Sequence, residues 1–206
     1  PEDAVEYAAK MRMALVEAVA ETDDALLERY LTGDSISPEE LRTGIRSGTI
    51  HLKFTPVLCG SSFKNKGVQQ LLDAVVAYLP SPRDVGHVHG FDVKQPDRDI
   101  TRAPDDDQPF AALAFKILSD PFVGRLTFLR VYSGTLKAGE QITNVTNDKK
   151  ERAGKILRMH ANRREEIEAA YAGDIVAIPA MRFTRTGDTL CDAKAPILLE
   201  PIQFAA

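Results

Sequence analysis

Residues 54–79, FTPVLCGSSFKNKGVQQLLDAVVAYL, narrow the fold more than any other stretch of the chain. Val68, Leu71, Leu72, Val75, Val76 and Leu79 recur at i, i+3, i+4, i+7, i+8 and i+11, so they share one helical face. An apolar face of that length predicts a helix packed on a partner layer. Phe54, Val57 and Leu58 before it predict one fully buried strand. The small and polar residues between strand and helix predict a loop of backbone N–H groups at the carboxyl edge of a sheet, where open α/β folds place ligands. One strand and one helix do not make a doubly wound sheet, so its other strands are expected outside this sequence.

Three helices are expected before that strand. Ala4, Ala8, Met11, Leu15 and Val19 mark the first, and Ala25, Leu26, Tyr30 and Leu31 a second closed by Gly33. Ser37-Pro38-Glu39-Glu40 is a capping box with proline at the first helical position, opening a third helix that Gly48 is expected to end. Pro80-Ser81-Pro82 stops the helix after Leu79, and the following Pro-, Asp- and Gly-rich stretch reads as a linker or irregular crossover. From Phe110 the pattern changes to short β runs between turn residues: 111–119, 125–133, 140–145, 151–158 and 174–178. The expected organisation is therefore α+β and multidomain: helices over 1–50, a strand and helix over 51–82, a linker over 83–109, and an all-β barrel over 110–206.

Composition excludes some classes of function. A net charge of -4 gives no global attraction to nucleic acid, so any RNA contact must be local. The one cationic concentration is Lys149, Lys150, Arg152, Lys155, Arg158, Arg163 and Arg164, which suits a phosphate backbone. Glu151, Glu165, Glu166 and Glu168 are interspersed, and a mixed-charge solvated surface is the competing reading. Two cysteines, Cys59 and Cys191, far apart in sequence predict reduced thiols rather than a disulfide. His160 has no partner at a metal-ligand spacing, no nucleophilic triad can be assembled, and Asp105-Asp106-Asp107 lacks the spacing of a calcium loop. A phosphate loop needs G-x-x-x-x-G-K-[ST]; the nearest stretch, Gly134 to Gly139, continues with Glu140-Gln141 and fails. With no apolar run long enough for a bilayer and no signal peptide, a cytoplasmic, non-membrane protein is expected.

Several runs resemble one family. Cys59-Gly60-Ser61-Ser62-Phe63-Lys64-Asn65-Lys66-Gly67-Val68 is similar to the last guanine-nucleotide motif of the translational GTPase elongation factor G, with Ser62 where that family usually has Ala. Residues 119–128, from Ser119-Asp120-Pro121 to Leu126-Thr127-Phe128, and 130–137, RVYSGTLK, resemble its second domain. So do residues 149–152, 159–167, 172–175 and 186–191. Ala180-Met181-Arg182-Phe183 departs from the family's Gly-Leu-Lys-Asp.

The resemblance implies an internal fragment: the helical end of an inserted subdomain, the end of a P-loop GTPase domain, and the family's barrel. Ser61, Ser62 and Phe63 would present backbone N–H groups to the guanine base. Lys149, Lys150, Arg152, Arg163 and Arg164 would meet small-subunit ribosomal RNA, with tRNA and mRNA engaged indirectly by a monomeric factor. GTP or GDP with magnesium would belong to the full-length protein, with none held tightly here and no catalytic or metal residue in this stretch. Asn65-Lys66 runs on into Gly67-Val68 and is not the family's N-K-x-D. The implied function is GTP-dependent translocation of tRNA and mRNA. A ribosomal-protection protein or a release-factor recycling GTPase would share both domains, and a stand-alone β-barrel RNA-binding module is a reading of another class.

Overall fold

The computed structural model describes residues 2–120, 124–161 and 163–200. The resemblance residues Pro121, Phe122, Val123 and Asn162, and the end of the expected barrel at 201–206, lie outside the described residues. The chain divides into two compact units, Pro1–Asp84 and Val85–Ala206.

The first unit is helical: α1 (Glu2–Ala20), α2 (Asp24–Thr32), α3 (Pro38–Ile50) and α4 (Val68–Tyr78), followed by one turn, α5 (Pro82–Val85), at the unit boundary. Local chemistry sets the ends. The Asp23 carboxylate accepts from the amides of Ala25 and Leu26 at 3.1 and 3.0 Å, and Gly33 closes α2 at φ 82°. Ser37 and Glu40 satisfy each other's backbone N–H groups in the expected capping box. The expected stop at Gly48 does not occur: α3 runs on to Ile50, and Gly48 is instead a close approach, where a Cβ would lie 2.4 Å from the Phe54 ring. A small core of Val19, Leu41 and Ile45, with Leu26, Phe54 and Tyr78 against it, joins the helices. Arg46 donates to the carbonyls of Ala77 and Leu79 at 3.1 Å, satisfying the carboxyl end of α4, and reaches Asp84 at 2.6 Å.

Two expectations about this unit are corrected. Residues 54–60 form no strand, and Val57 is 91% exposed, because among the described residues no neighbouring strand pairs with them. The apolar face of α4 is likewise uncovered: Leu71, Leu72, Val75, Val76 and Leu79 are all exposed. Periodicity correctly located the helix and its apolar side, but burial requires a second layer that no described residue supplies.

The second unit is built of antiparallel strands. The expected linker at 83–109 contains two of them, β1 (Val88–Phe91) and β2 (Asp99–Arg102), which pair with each other and with β13 (Leu198–Leu199). These strands are too short for the sequence to show alternation. The main sheet comprises β3 (Ala111–Asp120), β4 (Gly124–Ser133), β6 (Gln141–Asn144), β7 (Lys149–Arg152), β8 (Ile156–His160), β9 (Arg163–Ile167), β11 (Ile175–Pro179) and β12 (Thr189–Cys191). Its order is β7-β6-β12-β3-β4-β11-β8-β9, and β5 (Leu136–Lys137) pairs separately with β10 (Ala169–Ala170).

Phe110, Leu129, Val131, Leu136, Ile142, Ile156, Ile178, Met181 and Leu190 share one buried core, so strands from the whole width of the sheet wrap a common interior. The arrangement is the expected barrel-like one, and among the described residues β7 and β9 do not pair, so the ring of hydrogen-bonded strands is not closed at that seam. The expected single run at 151–158 is two strands, broken at Ala153–Lys155. The β8–β9 hairpin had no sequence signal, because Arg-Arg-Glu-Glu-Ile has no apolar alternation.

Candidate functional site

In the first unit, the loop before α4 is closed on itself. Ser61 and Lys66 exchange backbone hydrogen bonds at 2.9 and 3.0 Å, around a 3₁₀ turn at Ser62–Lys64. Asn65 and Gly67 turn the chain with φ of 51° and 77°. A Cβ on Gly60 would sit 2.8 Å from the Lys66 carbonyl, so only glycine permits this approach. Among the described residues, the amides of Ser62 and Phe63 donate to no protein acceptor. They stand at the start of the 3₁₀ turn, where the first N–H groups have no partner within the turn. A shallow pocket of about 220 Å³ is lined by Cys59, Ser61, Ser62, Lys66 and Leu71. Phe63 is 98% exposed. The loop thus offers small side chains and free backbone donors, which fit the edge of a planar base. It offers nothing to surround phosphates, and no group of three or more His, Cys, Asp or Glu able to hold a metal occurs among the described residues.

In the second unit, the cations singled out in the sequence fall on the two edges of the main sheet. Lys149, Lys150 and Arg152 lie on β7, and Arg163 and Arg164 on β9, at opposite ends of the strand order. The structure does not pair these edges. Lys149 and Lys150 are exposed and make no ion pair among the described residues, and the same holds for Arg163. Arg152 donates from Nε to the Gly139 carbonyl at 3.0 Å. Arg164 is paired with Asp120, and its neighbours Lys155 and His160 face Glu166 and Glu165 at 2.8 and 3.6 Å. The β9 edge is therefore largely neutralised by its own carboxylates, whereas the β7 edge is not.

The residue between the β7 cations points inward. Glu151 is buried, and its carboxylate accepts from the backbone N–H of Arg182 (3.2 Å), Phe183 (2.6 Å) and Thr184 (2.8 Å) and from the Thr184 hydroxyl (3.0 Å). The side chain of Asn147 donates to the Phe183 carbonyl at 3.0 Å, and the Arg125 guanidinium donates to the Thr184 carbonyl. Asp188, also buried, accepts from Asn144 and from the Arg185 amide, both at 2.8 Å. The loop 180–185 that departs from the resembled pattern is thus fastened to the β7 edge. Met181 and Thr184 turn inward while Arg182, Phe183 and Arg185 stay exposed. Sequence reading missed this arrangement: Glu151 looked like one more interspersed charge, and only its place in the alternation of β7 hints that it faces in.

A family model described as elongation factor G domain 2 matches residues 109–193. Residues 109–193 are an elongation factor G domain 2. The eight-stranded sheet and the Glu151 loop therefore belong to a translation-factor domain. A crystal structure of a protein from Thermus thermophilus matches beyond domain 2, with TM-score 0.73 and 27% identity, covering 95% of this chain and 26% of that one. The chain thus spans about a quarter of the length of that protein. No helix among the described residues is long and apolar enough to cross a membrane.

Proposed function

We propose that the chain is a section of a ribosomal translocase of the elongation factor G family, working in the cytoplasm as a monomer, and that domain 2 is its contact with small-subunit ribosomal RNA. The observation that supports this reading is the β7 edge of domain 2, where Lys149, Lys150 and Arg152 are exposed and the only acidic residue between them is turned inward. Cations on an exposed strand edge suit phosphate contacts that need charge and reach rather than a fixed pocket. Arg163 and Arg164 on β9 are secondary in this reading, because neighbouring carboxylates already face that edge. The amides at Ser62 and Phe63, with Ser61 closing the loop, would bind the edge of a guanine base. The GTP phosphates and magnesium would be held by other parts of the longer protein, which would couple hydrolysis to movement of tRNA and mRNA.

The test is binding of this chain to isolated small ribosomal subunits over a range of salt. Each phosphate contact contributes a log–log slope of roughly -0.7 to -0.9 through counterion release. Changing Lys149, Lys150 and Arg152 together to Glu should weaken binding and flatten that slope. A triple variant with the wild-type slope would show that the β7 edge is only a solvated surface.

A further inference from the structure

We propose that Phe183, flanked by Arg182 and Arg185, is a stacking platform for an unpaired base of single-stranded RNA, extending the cationic strip of β7 with an aromatic contact. The inference rests on the reading of β7 as an RNA-binding edge, and adds to it the class of RNA and the group that would hold a base.

The loop is rigidly built and yet leaves its phenyl ring in solvent. The amides of Arg182, Phe183 and Thr184 are held by Glu151, and the Phe183 carbonyl by Asn147. With both sides of its peptide unit fastened, Phe183 is still 48% exposed. The residues on either side that face inward are Met181, in the core, and Thr184, fully buried. A ring held by a fixed backbone and left uncovered is preorganised for a planar partner, because little conformational entropy remains to be lost on binding.

Charge selects the partner. Arg182 and Arg185 on the loop join Lys149, Lys150 and Arg152 on the strand that grips it, five exposed cations in all. Of the carboxylates in this region, Glu151 and Asp188 are buried and taken up by the loop's own donors; Asp148, in the turn before β7, and Glu140, next to the Gly139 carbonyl that Arg152 contacts, are exposed, so five cations stand against two carboxylates. An apolar protein segment would meet this excess of positive charge at a cost, whereas a polyanion with flat apolar bases satisfies both components. Cations tracking a backbone, with an aromatic on which a base stacks, is the general solution for binding single strands without reading their sequence.

The experiment measures binding of a short fluorescent oligoadenylate, and of an abasic oligonucleotide of the same length, to the chain. Phe183→Ala should weaken oligoadenylate binding about tenfold, the scale of one base stacked on one ring, and leave the salt slope and the abasic affinity unchanged. Phe183→Trp should bind as the wild type or better. Lys149→Glu with Lys150→Glu should weaken both ligands and flatten the slope. Equal losses for the two ligands in Phe183→Ala, or no loss for either, overturn the proposal, as does a wild-type chain that fails to bind oligoadenylate. If Phe183→Ala is silent while the lysine pair flattens the slope on small subunits, the stacking platform falls and the β7 edge stands; if neither variant changes anything, both fall. Melting of each variant, expected at the wild-type temperature because these side chains are exposed, separates lost contact from lost fold.

Discussion

Replacing Glu151 with Ala should be among the most damaging single changes in domain 2, and the structure sets its scale. Four donors lose their acceptor, but they do not suffer equally. Arg182 and Phe183 lie at the surface, and water can replace the carboxylate at their amides. Thr184 is 0% exposed, so its amide and hydroxyl become buried donors without partners. At about 1–3 kcal/mol for each unsatisfied buried group, the loss is about 2–6 kcal/mol. For a unit of this size, where 1 kcal/mol corresponds to roughly 4 °C, the β-unit transition should fall by at least about 8 °C. Glu151→Gln retains one acceptor oxygen for the Phe183 and Thr184 donors but loses the charge assistance and turns an NH2 toward the solvent-accessible Arg182 amide, so it should melt between the two. Differential scanning calorimetry of the chain reads both variants. A Glu151→Ala protein melting within about 2 °C of the wild type would refute the argument, because it would mean that the loop is held without the carboxylate.

Three further outcomes follow from other residues. Glu40 is held down to about 2, first by the Ser37 amide and then by hydrogen bonds from Arg29 and the Ser37 hydroxyl. A depressed carboxylate contributes stability above its ordinary value near 4.5 and loses it as pH falls through about 2, so the helical unit should weaken across that window and Glu40→Gln should flatten the dependence. Gly134→Ala should cost about 1–3 kcal/mol by thermal melting, since Gly134 has φ 71° and an added Cβ would meet the Gln108 carbonyl at 2.5 Å and the Phe110 amide at 2.6 Å, backbone atoms that cannot rotate aside. Leu72→Asp should change the melting of this chain by no more than about 0.5 kcal/mol, because Leu72 is 60% exposed; a large loss would mean that the α4 face is covered in solution.

Legibility followed the range of the interactions involved. The α3 start could be read because Ser37 and Glu40 cap each other within one turn, and the long strands β3 and β4 because their runs are apolar over many residues. Domain 2 could be recognised from motif runs that sequence resemblance preserves. Burial of α4 could not be judged, since it depends on a layer supplied by none of the described residues. The direction of Glu151 was hidden for a related reason. An inward charge is stable only when donors meet it, and those donors come from residues 182–184, some thirty positions away, whose backbone no local pattern predicts. Strands β1 and β2 escaped notice because four residues are too few to show a period.

The open seam of the main sheet has a consequence for how copies of this chain behave toward one another. An unpaired strand edge is a template on which a second chain can add a strand, and both seam edges here are short and carry cations: Lys149, Lys150 and Arg152 on one, Arg163 and Arg164 on the other. Two β7 edges approaching in register bring like charges together, whereas the β9 cations are largely offset by neighbouring carboxylates, so the β7 cations also act as gatekeepers against polymerisation. A polyanion bound along β7 would neutralise that repulsion while masking the edge itself, whereas neutralising the lysines chemically would remove the repulsion and leave the edge bare. Acetylated protein should therefore aggregate where RNA-bound protein does not.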